Sequence, residues 1–282
     1  LSMTVATEIG IVEMGANHPN EIAFLSEISN PDFGYITNFG SAHLEGFGSL
    51  EGVVKAKSEL YDFLISHKKK IFVNPEDSIQ LSKTKNANAI LFDESIIYLS
   101  SNPFVKLLFD SIEIQSNLIG AYNFSNIAAA ITIGHHFKIS KEKIKEAIEN
   151  FIPSNNRSQV IDTDHNKVIL DAYNANPTSM KAALESFKAL EAEHKTIIIG
   201  DMFELGDYSA KEHQNIVDLA TKFKFDSIFF IGEHFHKTNT NYLKFLGFEE
   251  LKEYLLKNPV KKSIILIKGS RGMALERVVA LC

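Results

Sequence analysis

The stretch KVILDAYNANPTSMKAALESFKALEAEHKTIIIGD (Lys167–Asp201) decides the fold. KVILD and TIIIG are short, apolar and β-branched, the composition of strands covered on both faces. Between them, PTSMKAALESFKALE opens on a proline and then spaces its apolar residues three and four apart. That is the pattern of an amphipathic helix. The rhythm continues in SIFFIG (227–232) and SIILIKG (263–269). Helical segments are read at 209–223, in HKTNTNYLKF (236–245) with LKEYLL (251–256), and in MALERVVAL (273–281). Strands alternating with helices imply a doubly wound parallel sheet. Ligands bind beyond the carboxyl ends of such strands, where DAYNAN, GDMFELG and KGSRG all lie.

Upstream, PSNNRSQ (153–159) is polar and turn-rich and marks a boundary between domains at 1–154 and 155–282. EIGIVEM (8–14) reads as a buried strand ending in an acid, and Pro19 opens a helix over 20–29. FGYITN (33–38), KKKIFVN (68–74) and NAILFD (88–93) read as strands. Residues 96–117 read as antiparallel strands, followed by helices at 120–137 and 140–151.

A chain of 282 residues has room for two domains with proper cores. A net charge of −6 argues against a general nucleic-acid binder, and no apolar run reaches membrane-spanning length. LSMTVATEIGIVEM has no basic leader, and the single cysteine, Cys282, excludes a disulfide framework. The expected compartment is the cytoplasm.

Three residues frame the chemistry. A helix capped by Ser49 places Leu50, Val53, Leu60 and Leu64 on one face, with Lys57 in the middle of that stripe and Lys55 opposite. Lys57 either snorkels to the surface or carries a charge altered by chemistry. Glu13, at a strand end beside a Gly-containing loop, is either a solvated acid or a metal ligand. His43 in GSAHLEG is either a hydrogen-bonded structural group or a ligand. Asn123 and Asn126 share a helix face, with Asn123 a plain cap as the alternative. Arg157 suits bidentate contact with a phosphate, or is a solvated linker residue. Lys268, Ser270 and Arg271, at a strand end and a helix N-terminus, suit an anion, or are a cap with solvated charges.

VEMGANHPNEIAFL (12–25), NFGSAHLEGFGSLEGVVKAKSEL (38–60), GAYNFSNIAAA (120–130), LDAYNANPTSM (170–180), GDMFELG (200–206) and KGSRGM (268–273) follow in one order. That series resembles the Mur ligases, within them the type that joins D-Ala-D-Ala to UDP-N-acetylmuramoyl-tripeptide. The resemblance implies an α/β protein: a central ATP-binding domain, then a Rossmann-like domain. It implies ATP and Mg²⁺ as cofactors and an acyl phosphate intermediate. Lys57 would be carbamylated and, with Glu13 and His43, would serve the metal. Asn123, Asn126, Arg157, Asp171, Tyr173 and Asn174 would meet ATP. Asn176, Lys268, Ser270 and Arg271 would meet D-Ala-D-Ala. Asn156 replaces a common Gly before Arg157, and Ala172 replaces a common Ser. Asp201, Glu204 and His213 receive no role. The resemblance implies small-molecule substrates, no nucleic acid, no membrane insertion and a monomer. A sister amide ligase of the same superfamily and a non-catalytic binding module are the rival readings.

No G-x-x-x-x-G-K-[ST] loop and no G-x-G-x-x-G occurs in the sequence. With Leu1 in first position, the expectation is a C-terminal two-thirds of a longer ligase whose central domain is truncated. The 282-residue piece alone is expected to turn over no ATP, since it lacks that phosphate cradle.

Overall fold

The computed structural model describes residues 4–41 and 43–282. Two compact units emerge: Leu1–Phe39 with Gly46–Leu91, and Gly40–Glu45 with Phe92–Cys282.

The first unit's elements run α1 (Glu21–Ser29), β1 (Phe33–Tyr35), α2 (Leu44–Phe47, which straddles the division), α3 (Leu50–Ser66), β2 (Lys70–Val73), α4 (Ser78–Lys83) and β3 (Asn88–Leu91). Its three strands form a parallel sheet in the order β1-β2-β3. The Ser49 hydroxyl accepts the Gly52 N–H at 3.1 Å and starts α3 where the sequence places the cap. Val53, Leu60 and Leu64 are buried as the wheel predicts, and Lys55 is exposed. Leu50 departs from the wheel and is exposed. A wheel fixes an angle around the axis but not how far along it the core extends. Ile22, Tyr61, Leu64 and Ile71 share that core.

EIGIVEM is not a strand. Residues 8–13 are exposed and irregular, with Ile9, Ile11 and Val12 open to water. A strand needs a neighbour for its N–H and C=O groups. Among the described residues no strand runs beside 8–14, so apolar content alone does not make one.

The second unit begins with β4 (Ile96–Ser101), β5 (Phe104–Phe109) and β6 (Ile112–Ile119), an antiparallel sheet as expected. Helices α5 (Asn123–His136) and α6 (Lys141–Asn150) pack on it through Ile127, Ile131 and Ile144. Then follow β7 (Gln159–Asp162), β8 (Lys167–Asp171), α7 (Pro177–Ala189), β9 (Lys195–Gly200), α8 (Ser209–Phe223), β10 (Ser227–Ile231), α9 (Glu233–His236), β11 (Leu243–Phe245), α10 (Phe248–Lys257) and β12 (Ile264–Lys268). The sheet order is β11-β10-β9-β12-β8-β7, parallel except for β7 against β8.

Two readings are corrected by these elements. Residues 236–245 are not a helix: α9 stops at His236, and β11 lies within the segment as an edge strand. Thr and Asn in KTNTN hydrogen-bond their own backbone and favour turns. Residues 273–281 form 3₁₀ turns rather than an α-helix, broken where Ala274 takes φ +48°. The edge strand β7 starts at Gln159, the last residue of the polar tract 153–159.

Gly232 turns the chain after β10 with φ +120°. A Cβ there would lie 2.2 Å from the Asp201 carboxyl carbon. Gly232→Ala is expected to lose about 2–4 kcal/mol of stability, from strained backbone plus collision with a buried acid. Urea unfolding measures it; a loss under about 0.5 kcal/mol, the size of an ordinary surface change, would show that the turn relaxes freely.

Candidate active site

β8, β12 and β9 are neighbours, so the loops at their carboxyl ends meet. Lys268, 2% exposed, is the tie between the first two. Its Nζ donates to Asp171 Oδ2 at 2.6 Å and to the Asn174 carbonyl at 3.2 Å. Asp171 Oδ1 accepts the Ser158 N–H at 3.1 Å, which fixes the loop before β7. Ser270 ties β12 to β9: its N–H donates to the Asp201 carbonyl at 3.0 Å, and its Oγ accepts the Phe203 N–H at 2.9 Å. DAYNAN, GDMFELG and KGSRG therefore form one surface.

Tyr173 gathers two cations on that surface. The Arg157 guanidinium carbon lies 3.9 Å from the ring centroid and that of Arg271 lies 5.0 Å away. The electron-rich ring face offsets part of their mutual repulsion. Both arginines are exposed and present planar donor pairs suited to phosphate or carboxylate. Asn156 takes φ +57°, the left-handed conformation that a glycine adopts freely and that asparagine tolerates best among the others. Its carbonyl accepts the Tyr173 N–H at 3.1 Å, which ties the loop before β7 to the loop after β8.

Beyond β12 no α-helix N-terminus is present to hold an anion: the chain continues in 3₁₀ turns over Arg271–Met273 and Leu275–Leu281, broken at Ala274. Lys268 and Ser270 are both buried and engaged inward, which leaves Arg271 as the exposed member of that trio. Asn176 caps α7: its side-chain oxygen accepts the Ser179 N–H at 2.9 Å in a capping box with Pro177 in the first turn. Asn174 accepts the Ala175 N–H on its own side chain at 2.8 Å. Ala172 is buried.

Asn123 does not cap α5; Tyr122 holds that position. The Asn123 amide donates to the Ile119 carbonyl at 2.8 Å, and its oxygen accepts from Asn126 at 3.0 Å, so the two form one polar face. The Tyr122 hydroxyl meets Ser158 Oγ at 2.8 Å, and burial keeps its proton on far above the ordinary tyrosine range.

Lys57 is half-buried, and its Nζ donates to the Asn38 carbonyl at 2.8 Å. Burial lowers its pKa, so the neutral amine is more accessible than for a solvated lysine. Glu13 is exposed on the irregular segment. Both lie in the first unit, whereas His43 lies in the second. His43 Nδ1 sits against the Glu204 carboxylate, and the Glu204 carbonyl accepts the Glu45 N–H at 3.2 Å. Both His43 and Glu204 adopt positive φ. Ala42 lies outside the described residues. Among the described residues no group of three or more His, Cys, Asp or Glu side chains lies together as a ready metal site.

Sequence reasoning assigned nothing to Asp201 and His213, and the structure gives both scaffolding bonds. Asp201 accepts the N–H groups of His234 and Phe235 at 3.0 and 2.9 Å, closing the first turn of α9. His213 is fully buried; Nδ1–H donates to the Ser209 carbonyl at 2.7 Å and Nε2 accepts the Met202 N–H at 3.0 Å. Burial lowers its pKa below the ordinary 6.5, opposed by the Ser209 carbonyl and the Asp201 carboxylate. With the folded pKa below the unfolded one, the unfolded chain binds more protons as pH drops under about 6.5, and stability falls with it. The His213 share of that loss is absent above the unfolded pKa. Urea midpoints are expected to fall less between about pH 7 and pH 5.5 in His213→Gln than in the wild type. Equal falls would assign the acid sensitivity to carboxylates.

Two family models together match most of the chain: the Mur ligase middle domain over residues 1–134 and the Mur ligase, glutamate ligase domain over residues 156–271. The UDP-N-acetylmuramoyl-tripeptide–D-alanyl-D-alanine ligase of Bacillus subtilis (strain 168) is 32% identical over 99% of this chain. The chain spans 65% of that relative's length. A crystal structure of MurF from Acinetobacter baumannii matches with a TM-score of 0.80 and 27% identity, covering 94% of this chain and 62% of the other. MurF ligase from Thermotoga maritima, solved with ADP, shares the fold with a TM-score of 0.81 at 22% identity, covering 95% and 65%. Among the described residues no helix is long and apolar enough to cross a membrane.

Proposed function

The chain belongs to the Mur ligase family, and from that premise we propose that it carries the acceptor-binding part, and some of the ATP-handling part, of a UDP-N-acetylmuramoyl-tripeptide–D-alanyl-D-alanine ligase. The observation that carries the reading is the joined surface of DAYNAN, GDMFELG and KGSRG, with two arginines gathered on Tyr173.

The reaction is amide formation driven by ATP. The terminal carboxylate of the tripeptide attacks the γ-phosphorus, ADP leaves, and an acyl phosphate results. The dipeptide amine then attacks the acyl carbon, and phosphate departs from the tetrahedral intermediate. Each step crowds negative charge, so positioned cations do most of the work. Arg157 steadies the transferred phosphoryl group, and Arg271 holds the acceptor's carboxylate. Asn123 and Asn126 line the adenine side; Asp171, Tyr173, Asn174 and Asn176 shape the loop between the two ligands. This division of roles follows exposure: Arg157 and Arg271 reach outward, while Lys268 and Ser270 hold the scaffold.

From the resemblance, Glu13, His43 and Lys57 would each offer Mg²⁺ a ligand, although among the described residues no three metal-ligating side chains lie together. An ammonium cannot ligate a hard cation, so Lys57 would serve one only as a carbamate, whose oxygens suit Mg²⁺. The half-burial and lowered pKa of Lys57 favour the amine that carbon dioxide requires. When bound, the ion neutralises phosphate charge. On this reading the protein is a cytoplasmic monomer, with the ATP-binding domain to residue 154 and the acceptor domain from 155.

Phosphate release by the full-length gene product tests the reading, with ATP, Mg²⁺ and UDP-N-acetylmuramoyl-tripeptide present. Release is expected to depend on D-Ala-D-Ala. Release driven by a single amino acid instead would move the protein to a sister ligase, and none under any combination would leave a binding module.

A further inference from the structure

Asp201 and His213 take no part in the reaction proposed above, yet both are almost fully buried where β9 ends. The His213 ring makes two backbone bonds of opposite sense: Nδ1–H to the Ser209 carbonyl and Nε2 from the Met202 N–H. Only a neutral imidazole with its proton on Nδ1 satisfies both. From Met202 the bonds run onward. Phe203 N–H donates to Ser270 Oγ, the Asp201 carbonyl accepts the Ser270 N–H, and Arg271 is the next residue. We infer that His213 is a positioning residue for Arg271: its neutral ring holds the β9 loop in the shape from which Arg271 reaches the acceptor carboxylate. This rests on the reading of Arg271 given above.

The surroundings explain why protonation matters. The Asp201 carboxylate lies 3.6 Å from Nε2, the His234 ring stacks at 5.1 Å, and the Phe235 ring meets it edge-on at 4.6 Å. Glu212, on the same helix, is the remaining charge that acts on it. A proton on Nε2 would turn toward Asp201 and leave the Met202 N–H without an acceptor. Met202 is fully buried, so water cannot replace that partner. The loop shape, and with it the Ser270–Arg271 segment, is therefore coupled to the charge on one ring.

The test uses the full-length protein with His213→Gln and His213→Phe. Gln offers an amide oxygen to the Met202 N–H and does not titrate; Phe offers nothing. At about pH 8, Phe is expected to raise the D-Ala-D-Ala KM about tenfold, the worth of one lost buried bond, with the ATP and tripeptide KM values unchanged. Gln is expected to stay near wild type at that pH and to lack the acid-side rise in dipeptide KM expected of the wild type. Amide exchange at Met202, Phe203 and Ser270, read by mass spectrometry, is expected to quicken in Phe and not in Gln. Unchanged exchange in Phe overturns the inference whatever the kinetics show, as does an acid-side rise in Gln equal to the wild type's. If Phe fails to fold, nitrogen NMR of the wild-type ring decides: an Nε2–H tautomer overturns the proposal. Wild-type protein that releases no phosphate in response to the dipeptide overturns the functional reading alone, since exchange and tautomer need no turnover.

Discussion

Lys268→Met is expected to lower stability by about 3 kcal/mol, the low end for a buried pair broken on one side. Lys268 and Asp171 face each other in register across β12 and β8, 2.6 Å apart. The lysine side chain is 2% exposed and the aspartate 15%. Removing the ammonium leaves a carboxylate desolvated, with the Ser158 N–H as its remaining bond. The residual exposure of Asp171 keeps the loss at the low end. Asp171→Asn alone leaves the reverse fault, a buried ammonium facing an amide. The double variant removes both charges and is expected to regain more than half of the summed single losses, because the two act on one interaction. Urea unfolding of the four proteins closes the cycle. Strictly additive losses would mean that the pair is not coupled. The Asn174 carbonyl loses its anchor as well, so ligand binding at the DAYNAN loop should weaken further than stability alone explains.

The parallel sheet was legible because KVILD, TIIIG, SIFFI and IILIK are covered on both faces and so are apolar throughout. The Lys57 helix was legible from one cap and one stripe. EIGIVEM misled because it has the same composition as those strands, and composition does not reveal whether a neighbour is present to pair with. Polar residues were harder still. The same serine, asparagine or lysine can face a ligand or a backbone group, and spacing does not distinguish them. Lys268, Ser270 and Asn176 all bond inward to the scaffold. Asp201 and His213 are the converse: their partners are backbone amides at Met202, His234 and Phe235, and no side-chain pattern announces a backbone partner. The charged surface of Arg157 and Arg271 was visible as residues, but their meeting on Tyr173 required the fold.

Lys57→Ala is expected to reduce ligation by the full-length protein about a thousandfold, the scale of losing metal-assisted charge stabilisation, with little loss of stability. The stability part follows from its one hydrogen bond, to the Asn38 carbonyl, on a half-buried side chain. The activity part follows from chemistry. On the proposed reading, the neutral amine would add to carbon dioxide, forming a C–N bond and releasing one proton, to leave a carbamate anion. Burial lowers the lysine's pKa, so the amine is populated at lower pH than on a solvated lysine, and carbamate formation is expected to rise as pH climbs through that lowered value. Lys57→Arg should fail equally, because a guanidinium remains protonated and does not trap carbon dioxide. Formate or acetate should partly restore Lys57→Ala, since each supplies two oxygens and fits the vacated space, and neither should restore Lys57→Arg, whose side chain fills it. Carbon-13 bicarbonate should give the wild type a carbamate signal that both variants lack. Wild-type-like ligation by Lys57→Ala would return this residue to the bland reading, a lysine that merely snorkels past an apolar stripe.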